Sequence, residues 1–164
     1  MIHNADKFLQ LLKNPFKFRM FLLNRLPAAF FTRLKIVEVD ENKCTVSIPY
    51  KWFNRNPFRS VYFASLSMAA EMSTGVFAMM YSYKRNPGLS MLVTRMEANY
   101  FKKAVSTTFF TCTDGKQVHD IVDEAILSGE AKTIQVRSTG INNNGEKIAD
   151  FYFTWSFKSR AASL

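Results

Sequence analysis

The stretch VYFASLSMAAEMSTGVFAMMYSY, residues 61–83, decides how this chain folds. It is 23 residues long and carries one charged side chain, that of Glu71, near its centre. About 20 apolar residues can cross a membrane as a helix, but a central carboxylate and several Ser, Thr and Tyr side chains oppose insertion. The stretch therefore predicts a long helix that a folded domain covers on every side.

Six segments with a two-residue alternation of apolar side chains accompany this helix in the sequence. In three consecutive pairs they are residues 34–40 and 44–50, 91–101 and 105–113, and 132–140 and 147–157. The Asn-rich turn that joins the last pair is a strong hairpin signal. Residues 117–128 fit a short amphipathic helix or, equally, a bulged strand. Three hairpins and one fully apolar helix predict an α+β domain in which an antiparallel sheet wraps the helix.

The N-terminal segment has the pattern of a basic amphipathic helix. Residues 5–25 hold apolar side chains at helical spacing on both sides of Pro15, which predicts two short helices or one kinked helix. Its basic side chains include Lys13, Lys17, Arg19 and Arg25. We expect the segment to pack against the domain, with contact to a membrane surface as the alternative. The predicted division is a helical extension at residues 1–28 and a domain at residues 29–158.

The charge of the chain is unevenly distributed. The net charge is +9, and residues 1–60 carry 11 basic and 4 acidic side chains. Such a field favours phosphate-bearing ligands, anionic lipids or nucleic acids, and does not choose among them. Because no nucleic-acid-binding motif accompanies the charge, we expect no nucleic-acid partner.

The two cysteines, Cys44 and Cys112, lie in predicted strands and form no metal-ligand cluster with the two histidines. This usage indicates reduced structural thiols, and we expect no metal site and no cofactor. Reduced cysteines and the lack of an evident secretory signal favour a cytoplasmic protein.

Glu71 is the residue of the long helix that needs a chemical explanation. Neighbours such as Met68, Ala70 and Met72 would remove water from the carboxylate and raise its pKa, unless the group is paired or open to solvent. The candidate partners are Arg55, Arg59 and Arg95. Buried carboxylates are either paired structural groups of this kind or functional residues.

The residues before and inside the helix resemble a known motif. Asn56 is followed six residues later by Tyr62, and nine residues after that by Glu71. Together with the order of the predicted elements, this spacing resembles the hotdog-fold thioesterases of the PaaI type over residues 30–157. Their motif is an Asn, a His-Gly-Gly at the helix start, and an Asp or Glu nine residues after the His.

The resemblance includes one lost motif and one further match. Tyr62, Phe63 and Ala64 stand where the family has His-Gly-Gly, so the chain resembles the branch of the superfamily that has lost this motif. Residues 99–104, NYFKKA, resemble the strand segment in which the family has a Tyr, a variable pair, a Pro and an Ala, with Lys103 in place of the Pro.

The resemblance implies a hotdog fold, in which a curled six-stranded antiparallel sheet wraps the long helix and two chains pair edge to edge. It implies a homodimer, or a dimer of dimers, that holds acyl-CoA or acyl-carrier thioesters at the interface. Free backbone N–H groups near Phe63 and Ala64, at the helix start, would stabilise the oxyanion of the reaction.

The resemblance also implies roles for single residues. Asn56 would orient the thioester carbonyl or the attacking water, and Glu71 of the partner chain would act as general base or nucleophile. Thr74 would help to hold the water. The remaining predicted substrate contacts are Tyr62, Thr94, Lys102 and Lys103. The two lysines would face the phosphates of CoA or the acidic surface of a carrier protein.

Two other interpretations stay open beside hydrolysis, which is the leading prediction. A non-catalytic module of the same fold would bind acyl-CoA or another lipid-like ligand, which the lost glycines and the many Phe and Met residues favour. A dehydratase of this fold would need a histidine paired with an acid. The only histidines, His3 and His119, are distant in sequence from the helix start.

Overall fold

The computed structural model describes the backbone of residues 2–160 and the side chains of residues 5–160. Its helices are α1 (Ile2–Lys13), α2 (Pro15–Arg25), α3 (Pro27–Phe31), α4 (Phe63–Ser82) and α5 (Gly115–Ser128), and one short 3-10 turn covers Trp52–Asn54. Its strands are β1 (Lys35–Val39), β2 (Cys44–Ile48), β3 (Leu89–Tyr100), β4 (Thr108–Cys112), β5 (Lys132–Asn142) and β6 (Lys147–Ser159). Within this part of the chain, no helix has both the length and the apolar character needed to cross a membrane.

All six strands form one antiparallel sheet, in the order β1-β2-β4-β5-β6-β3. The sheet curls around α4, which packs against β2, β4, β5 and β6. Val76 and Phe77 of α4 are fully buried, as are Phe110 of β4 and Phe151 of β6, whose ring centres lie 5.6 Å apart. The predicted α+β fold, a curled antiparallel sheet around a long helix, is confirmed.

The partner of β3 differs from the prediction. β1 pairs with β2 and β5 pairs with β6, as predicted, but β3 pairs with β6, and β4 lies between β2 and β5. The predicted hairpin of residues 91–101 with residues 105–113 is therefore wrong. The connection between β3 and β4 does not form a hairpin turn. It packs beside the segment that precedes α4, where Val61 N–H donates to Ala104 O at 2.8 Å.

The segment after β4 is a helix and not a bulged strand. α5 begins at Gly115, where an added Cβ would lie 2.2 Å from Glu41 O. Glycine thus allows the start of α5 to pack directly on the turn between β1 and β2. The helix ends at Gly129, which adopts the left-handed conformation with φ of 71°.

The N-terminal helices cover part of the domain core. Asn14 separates α1 from α2, and its Oδ1 accepts a hydrogen bond from Lys17 N–H at 3.0 Å, while Pro15 occupies the first position of α2. The buried side chains of these helices are Phe8, Leu12, Phe18 and Leu22. Packing of this segment against the domain is therefore confirmed. α3 runs across the boundary predicted at residue 28, and the division into two regions stays a prediction.

Candidate active site

The N-terminus of α4 leaves backbone donors available. Tyr62 precedes the helix, and its side chain makes no capping hydrogen bond. The N–H groups of Ser65 and Leu66 both donate to Tyr62 O, whereas no acceptor for the N–H of Phe63 or Ala64 occurs among the described residues. Two unpaired N–H groups at the positive end of a 20-residue helix suit a developing negative charge.

Asn56 organises the loop that leads into α4. Its Oδ1 accepts the N–H groups of Phe58 at 3.0 Å and Ser60 at 3.1 Å, and its Nδ2 donates to Ser60 Oγ at 3.1 Å. An amide nitrogen carries two hydrogens, so one of them remains beyond these bonds for a ligand. Asn56 therefore shapes the loop, and its contact with a substrate stays a prediction.

A cleft of about 490 Å³ opens beside the start of α4. Its lining comes from the loop before α4, the first turn of α4, and residues 100–104 at the end of β3. The predicted site residues that it brings together are Asn56, Tyr62, Phe63, Lys102 and Lys103. Lys102 Nζ pairs with Glu146 Oε1 at 2.6 Å. Lys103 is exposed and belongs to no ion pair in the described part of the chain.

Glu71 lies in the third turn of α4, outside the lining of the cleft. Its carboxyl forms no ion pair within residues 5–160, and Arg95, one of its expected partners, pairs with Glu97 at 2.8 Å. Burial raises the pKa of Glu71 from 4.5 to about 7. A carboxyl whose pKa lies near neutrality is suited to take a proton from water.

The Glu71 side chain lies beside Gly75, in a space that Trp155 also borders. A Cβ added at Gly75 would lie 2.9 Å from Glu71 Oε1 and 3.3 Å from Trp155 Cζ2, so the carboxyl occupies the space that glycine leaves. Trp155 Nε1 donates to Thr74 Oγ1 at 3.1 Å, and Thr74 Oγ1 donates to Glu71 O at 2.9 Å. Thr74 thus holds the indole beside the carboxyl, and its predicted contact with water stays a prediction.

Sequence reasoning missed Gly75 and Trp155 as site residues. The hydrogen bond that ties Trp155 to α4 joins positions 81 residues apart. No local spacing marks a contact of that kind, since it depends on where β6 lies in the sheet. A lone glycine in an apolar helix is a weak sign that another group approaches closely.

The helix-facing side of β3 is left uncovered by its own chain. Directly opposite residues of paired strands share a face, and alternate β3 residues lie opposite the buried aromatic side chains of β6. These β3 residues are Met91, Val93, Met96 and Ala98, and Tyr100 on the same face lies opposite Ala149. Met96 is 44% exposed and Tyr100 is 48% exposed, since β3 is the outermost strand of the sheet. The apolar face is therefore open to a partner.

Thr94 lies on β3 beside an irregularity in the pairing with β6, between Val93 and Arg95. Its Oγ1 donates to Thr154 O at 3.2 Å. Thr94 is exposed and does not line the cleft at the start of α4. Its predicted substrate contact stays a prediction.

Glu71 lies far along α4 from the free N–H groups at the start of the same helix. The eight steps from Phe63 to Glu71 span about 12 Å at 1.5 Å per residue, whereas a general base lies about 3 Å from the water that it activates. The carboxyl of Glu71 and the ring of Trp155 both border the space beside Gly75, and Trp155 is the register partner of Val93 on β3. The carboxyl therefore lies on the flank of α4 nearest the open strand, and away from the cleft of its own chain.

A second cavity, of about 670 Å³, lies near the C-terminal end of α4, between α1, α5 and the turn that joins β1 to β2. His119 lines this cavity, and its ring centre lies 4.8 Å from that of Tyr81. The side chain of His3 lies outside the described residues. No histidine with a described side chain lines the cleft at the start of α4, so a dehydratase gains no support from the site.

The same architecture occurs in solved structures of other proteins. A protein of unknown function from Pseudomonas aeruginosa, described as a probable thioesterase, matches with a TM-score of 0.73 at 16% identity, covering 90% of this chain and 97% of that one. A protein of unknown function from Chlorobaculum tepidum matches with a TM-score of 0.75 at 18% identity, over 92% and 96%. The PaaI protein of the phenylacetic acid degradation operon of E. coli matches with a TM-score of 0.64 at 11% identity, over 98% and 96%.

The chain therefore has the hotdog fold of the PaaI-like thioesterases. Within that fold it belongs to the family described as "Domain of unknown function (DUF4442)", whose sequence model matches residues 17–157. No curated protein sequence matches the chain. At identities of 11% to 18%, the structural likenesses establish the fold and not the reaction.

Proposed function

We propose that the protein hydrolyses acyl thioesters, of CoA or of an acyl carrier, at a site shared by the two chains of a homodimer. Glu71 is the observation that carries this proposal. It is an acid in an apolar helix, without an ion pair in the described residues, and its pKa is about 7. Buried charged groups of structural proteins are normally paired, and a lone carboxyl with a raised pKa is typical of acid–base chemistry.

A second copy of the chain would complete the site. In a two-fold pair, each chain offers the same surface to the other. Antiparallel pairing of two β3 edges would lay α4 of each chain beside the uncovered face of the partner's β3. This arrangement would bring Glu71 of one chain toward the cleft of the other, and a dimer of dimers would repeat the unit.

The proposed reaction uses groups from both chains. The thioester carbonyl oxygen would accept the N–H groups of Phe63 and Ala64, while Asn56 Nδ2 orients the carbonyl or the water. The partner subunit's Glu71 would take a proton from the water, and the water oxygen would attack the carbonyl carbon. The tetrahedral intermediate would then break its C–S bond, and the proton would pass to the leaving thiolate. The products are a free acid and a thiol.

The surroundings of the cleft suit such a substrate. Phe58, Tyr62 and Phe63 expose apolar rings for an acyl group, and Lys103 adds positive charge for the phosphates of CoA or for an acidic carrier protein. Lys102 would join it by exchanging its ion pair with Glu146 for one with the ligand. We place the protein in the cytoplasm. Burial raises the pKa of the two cysteine thiols, which favours their protonated, unreactive form.

Release of free thiol from a panel of acyl-CoAs and one acyl carrier thioester tests the proposal. The parent protein should turn over at least one acyl chain length, and Glu71→Gln should lower kcat by about a thousandfold. Glu130→Gln, at an exposed glutamate beyond α5, is the matched control and should keep full activity. Failure of the parent on every substrate, or full activity of Glu71→Gln, would contradict the proposal.

The variant Asn56→Asp tests the proposed role of Asn56 at the start of α4. The aspartate keeps an oxygen that accepts the N–H groups of Phe58 and Ser60, so the loop should keep its shape. It replaces the amide donor by a negative charge, which opposes an oxyanion at the start of α4. We expect a loss of turnover of at least about a hundredfold, with an unchanged melting temperature.

A non-catalytic acyl-CoA-binding module is the second candidate. The exposed rings of Tyr62 and Phe63, whose centres lie 4.9 Å apart, favour it because they would narrow the approach of a thioester to the backbone N–H groups. Calorimetry would distinguish the two candidates. Saturable binding of acyl-CoA by a parent protein that never releases thiol would support the module and contradict hydrolysis.

A further inference from the structure

The N-terminal third of the chain exposes an apolar surface that neither the cleft nor the β3 face explains. α2 buries Phe18 and Leu22 against the core. Phe16, Met20 and Leu23 follow at spacings of four and three, which places them on one side of the helix, turned away from the buried pair. All three are exposed, and Phe16 is 75% exposed.

This apolar surface continues from α2 onto α3 and the 3-10 turn. The Arg19 guanidinium carbon lies 4.4 Å from the ring centre of Phe30, and the Phe30 ring contacts that of Phe31 at 5.4 Å between centres. The rings of Phe31 and Phe53 follow at 6.3 Å. The N-terminal apolar face is defined here as Phe16, Met20, Leu23, Phe31, Trp52 and Phe53, and Trp52 is 79% exposed.

Hydrogen bonds hold the 3-10 turn in place against α3. Asn54 is buried, and its Nδ2 donates to Thr32 O and to Pro49 O, each at 2.9 Å. Trp52 and Phe53 therefore stand on a fixed backbone, and their exposure is a property of the folded domain. A rigid apolar surface of this size on a folded protein is typical of an interaction site.

Unpaired basic side chains accompany the N-terminal apolar face. Lys13, Lys17, Arg25, Arg33 and Lys51 are exposed, and none of them belongs to an ion pair within residues 5–160. Residues 1–60 carry 11 basic and 4 acidic side chains, so this third of the chain provides most of the net charge of +9. The occupant of the face must therefore offer negative charge as well as an apolar phase.

We propose that the N-terminal apolar face is a peripheral binding surface for membranes that contain anionic lipids. A bilayer offers an acyl layer for the rings of Phe16 and Trp52 and a negative headgroup layer for the exposed lysines and arginines of residues 13–51. A second copy of this chain would bring two strongly basic surfaces together, which like-charge repulsion opposes. Charge complementarity thus selects the lipid surface.

The N-terminal apolar face is connected to the cleft by the loop that follows the 3-10 turn. The loop that follows the 3-10 turn is fixed by Tyr50, whose hydroxyl donates to Arg59 O at 3.0 Å, and Phe58 in the same loop lines the cleft and is 75% exposed. Membrane binding is independent of hydrolysis, and its failure would leave the proposed reaction untouched.

Co-sedimentation of the full chain with vesicles tests the surface. One set contains phosphatidylcholine alone, and the other contains about 30% phosphatidylglycerol. We expect binding to the anionic vesicles to be at least about tenfold tighter. The chain has two tryptophans, and Trp155 is buried, so brominated lipids in the anionic vesicles should quench the emission of Trp52.

A double variant, Phe16→Ser with Trp52→Ser, removes two exposed rings and should keep the fold. It should weaken binding to anionic vesicles by at least about tenfold, while Leu127→Ser, at a side chain 87% exposed on α5, should bind like the parent. Three results would overturn the proposal: no binding of the parent to anionic vesicles, equal binding by the double variant, or a smaller oligomer for the double variant without lipid. A smaller oligomer would show that another copy of the chain covers the N-terminal apolar face.

Discussion

The chemistry of Glu71 rests on the cost of ionising a carboxyl in apolar surroundings. Burial raises its pKa to about 7, so both protonation states are populated near neutral pH. One pKa unit corresponds to about 1.4 kcal/mol, and the ionised side chain therefore destabilises the folded chain in a way that a surface glutamate does not. A glutamine would fill the same space without that cost, and only a carboxyl can take up and return a proton.

We expect Glu71→Gln to be more stable than the parent, by an amount that increases with pH. The pKa of Glu71 is raised from 4.5 to about 7 on folding, so the parent loses stability as the pH rises from about 4.5 to about 7, and the loss is complete above that range. The variant has no titrating group there. The difference in free energy of unfolding should therefore increase by about 2 kcal/mol from pH of about 5 to about 8.

Chemical denaturation of both proteins at the two pH values measures this difference. The same stability difference at both values would show that the carboxyl of Glu71 is as well solvated in the folded chain as in the unfolded one.

Gly75→Ala should lower turnover without lowering stability. The new Cβ would lie 2.9 Å from Glu71 Oε1, so the carboxyl must leave its place, while alanine favours the helix by about 1 kcal/mol. We expect kcat to fall by about tenfold or more, with a melting temperature equal to that of the parent or higher. At the control position, Gly88→Ala, the new Cβ makes an ordinary contact of 3.7 Å with Arg160. Equal kcat values for the two variants would mean that Gly75 does not position Glu71.

Among the elements, β3 is the edge strand through which we propose that two copies of the chain pair. It is 12 residues long and pairs with β6 along one edge, while no strand of the described chain lies along its other edge. Proteins usually protect such edges with charges or irregularities. β3 has an exposed Arg95–Glu97 pair on one face and an irregular register near Thr94, yet its helix-facing side is apolar. This combination favours a partner that covers one face.

Met96→Lys should therefore convert the proposed homodimer to a monomer. Met96 lies on the uncovered face of β3, and two lysines would bring unpaired charge into an apolar interface. We expect the dimer dissociation constant to rise by about a hundredfold or more, with turnover lost in parallel. Leu127→Lys, the same new charge on α5, should leave the mass unchanged. Light scattering after size-exclusion chromatography measures both, and a dimeric, active Met96→Lys protein would argue against pairing through β3.

Some elements could be predicted from the sequence because residues that are close in sequence determine them. The apolar run at residues 61–83 predicts α4, and the short polar turns before β2 and β6 predict two hairpins that the structure contains. The pairing of β3 with β6 could not be predicted, because alternation assigns faces and not neighbours. Leu89 lies opposite Ser159, at the far end of the domain sequence.

The candidate site likewise has one part that could be predicted from the sequence and one part that could not. Asn56, Tyr62 and Phe63 line one cleft because they are close in sequence, whereas Lys102 and Lys103 line the same cleft because the end of β3 lies beside the start of α4. The hydrogen bond from Trp155 to Thr74, three residues after Glu71, depends on the order of strands in the sheet, and no spacing in the sequence reports that order. Packing between distant elements is therefore the part of the site that required the structure.

In the molecule as a whole, three surfaces are left incomplete or uncovered by the described part of one chain. Within the described chain, no carboxylate or histidine lines the cleft at the start of α4, no element covers the apolar face of β3, and the N-terminal apolar face is exposed. Pairing of two copies would complete the first two surfaces together. The N-terminal apolar face would then stay free to meet a membrane, since it belongs to α2, α3 and the 3-10 turn and not to β3.

Whether the catalytic site is built from two chains can be measured with a mixed dimer. One chain carries Glu71→Gln, the other carries Asn56→Asp, and two affinity tags isolate the pair. If Glu71 serves the cleft of its partner, one of the two sites contains both native residues, and the mixed dimer should keep about half of the parent's turnover while each variant homodimer is inactive. An inactive mixed dimer would contradict the shared site, because both variants would then have damaged sites contained within single chains.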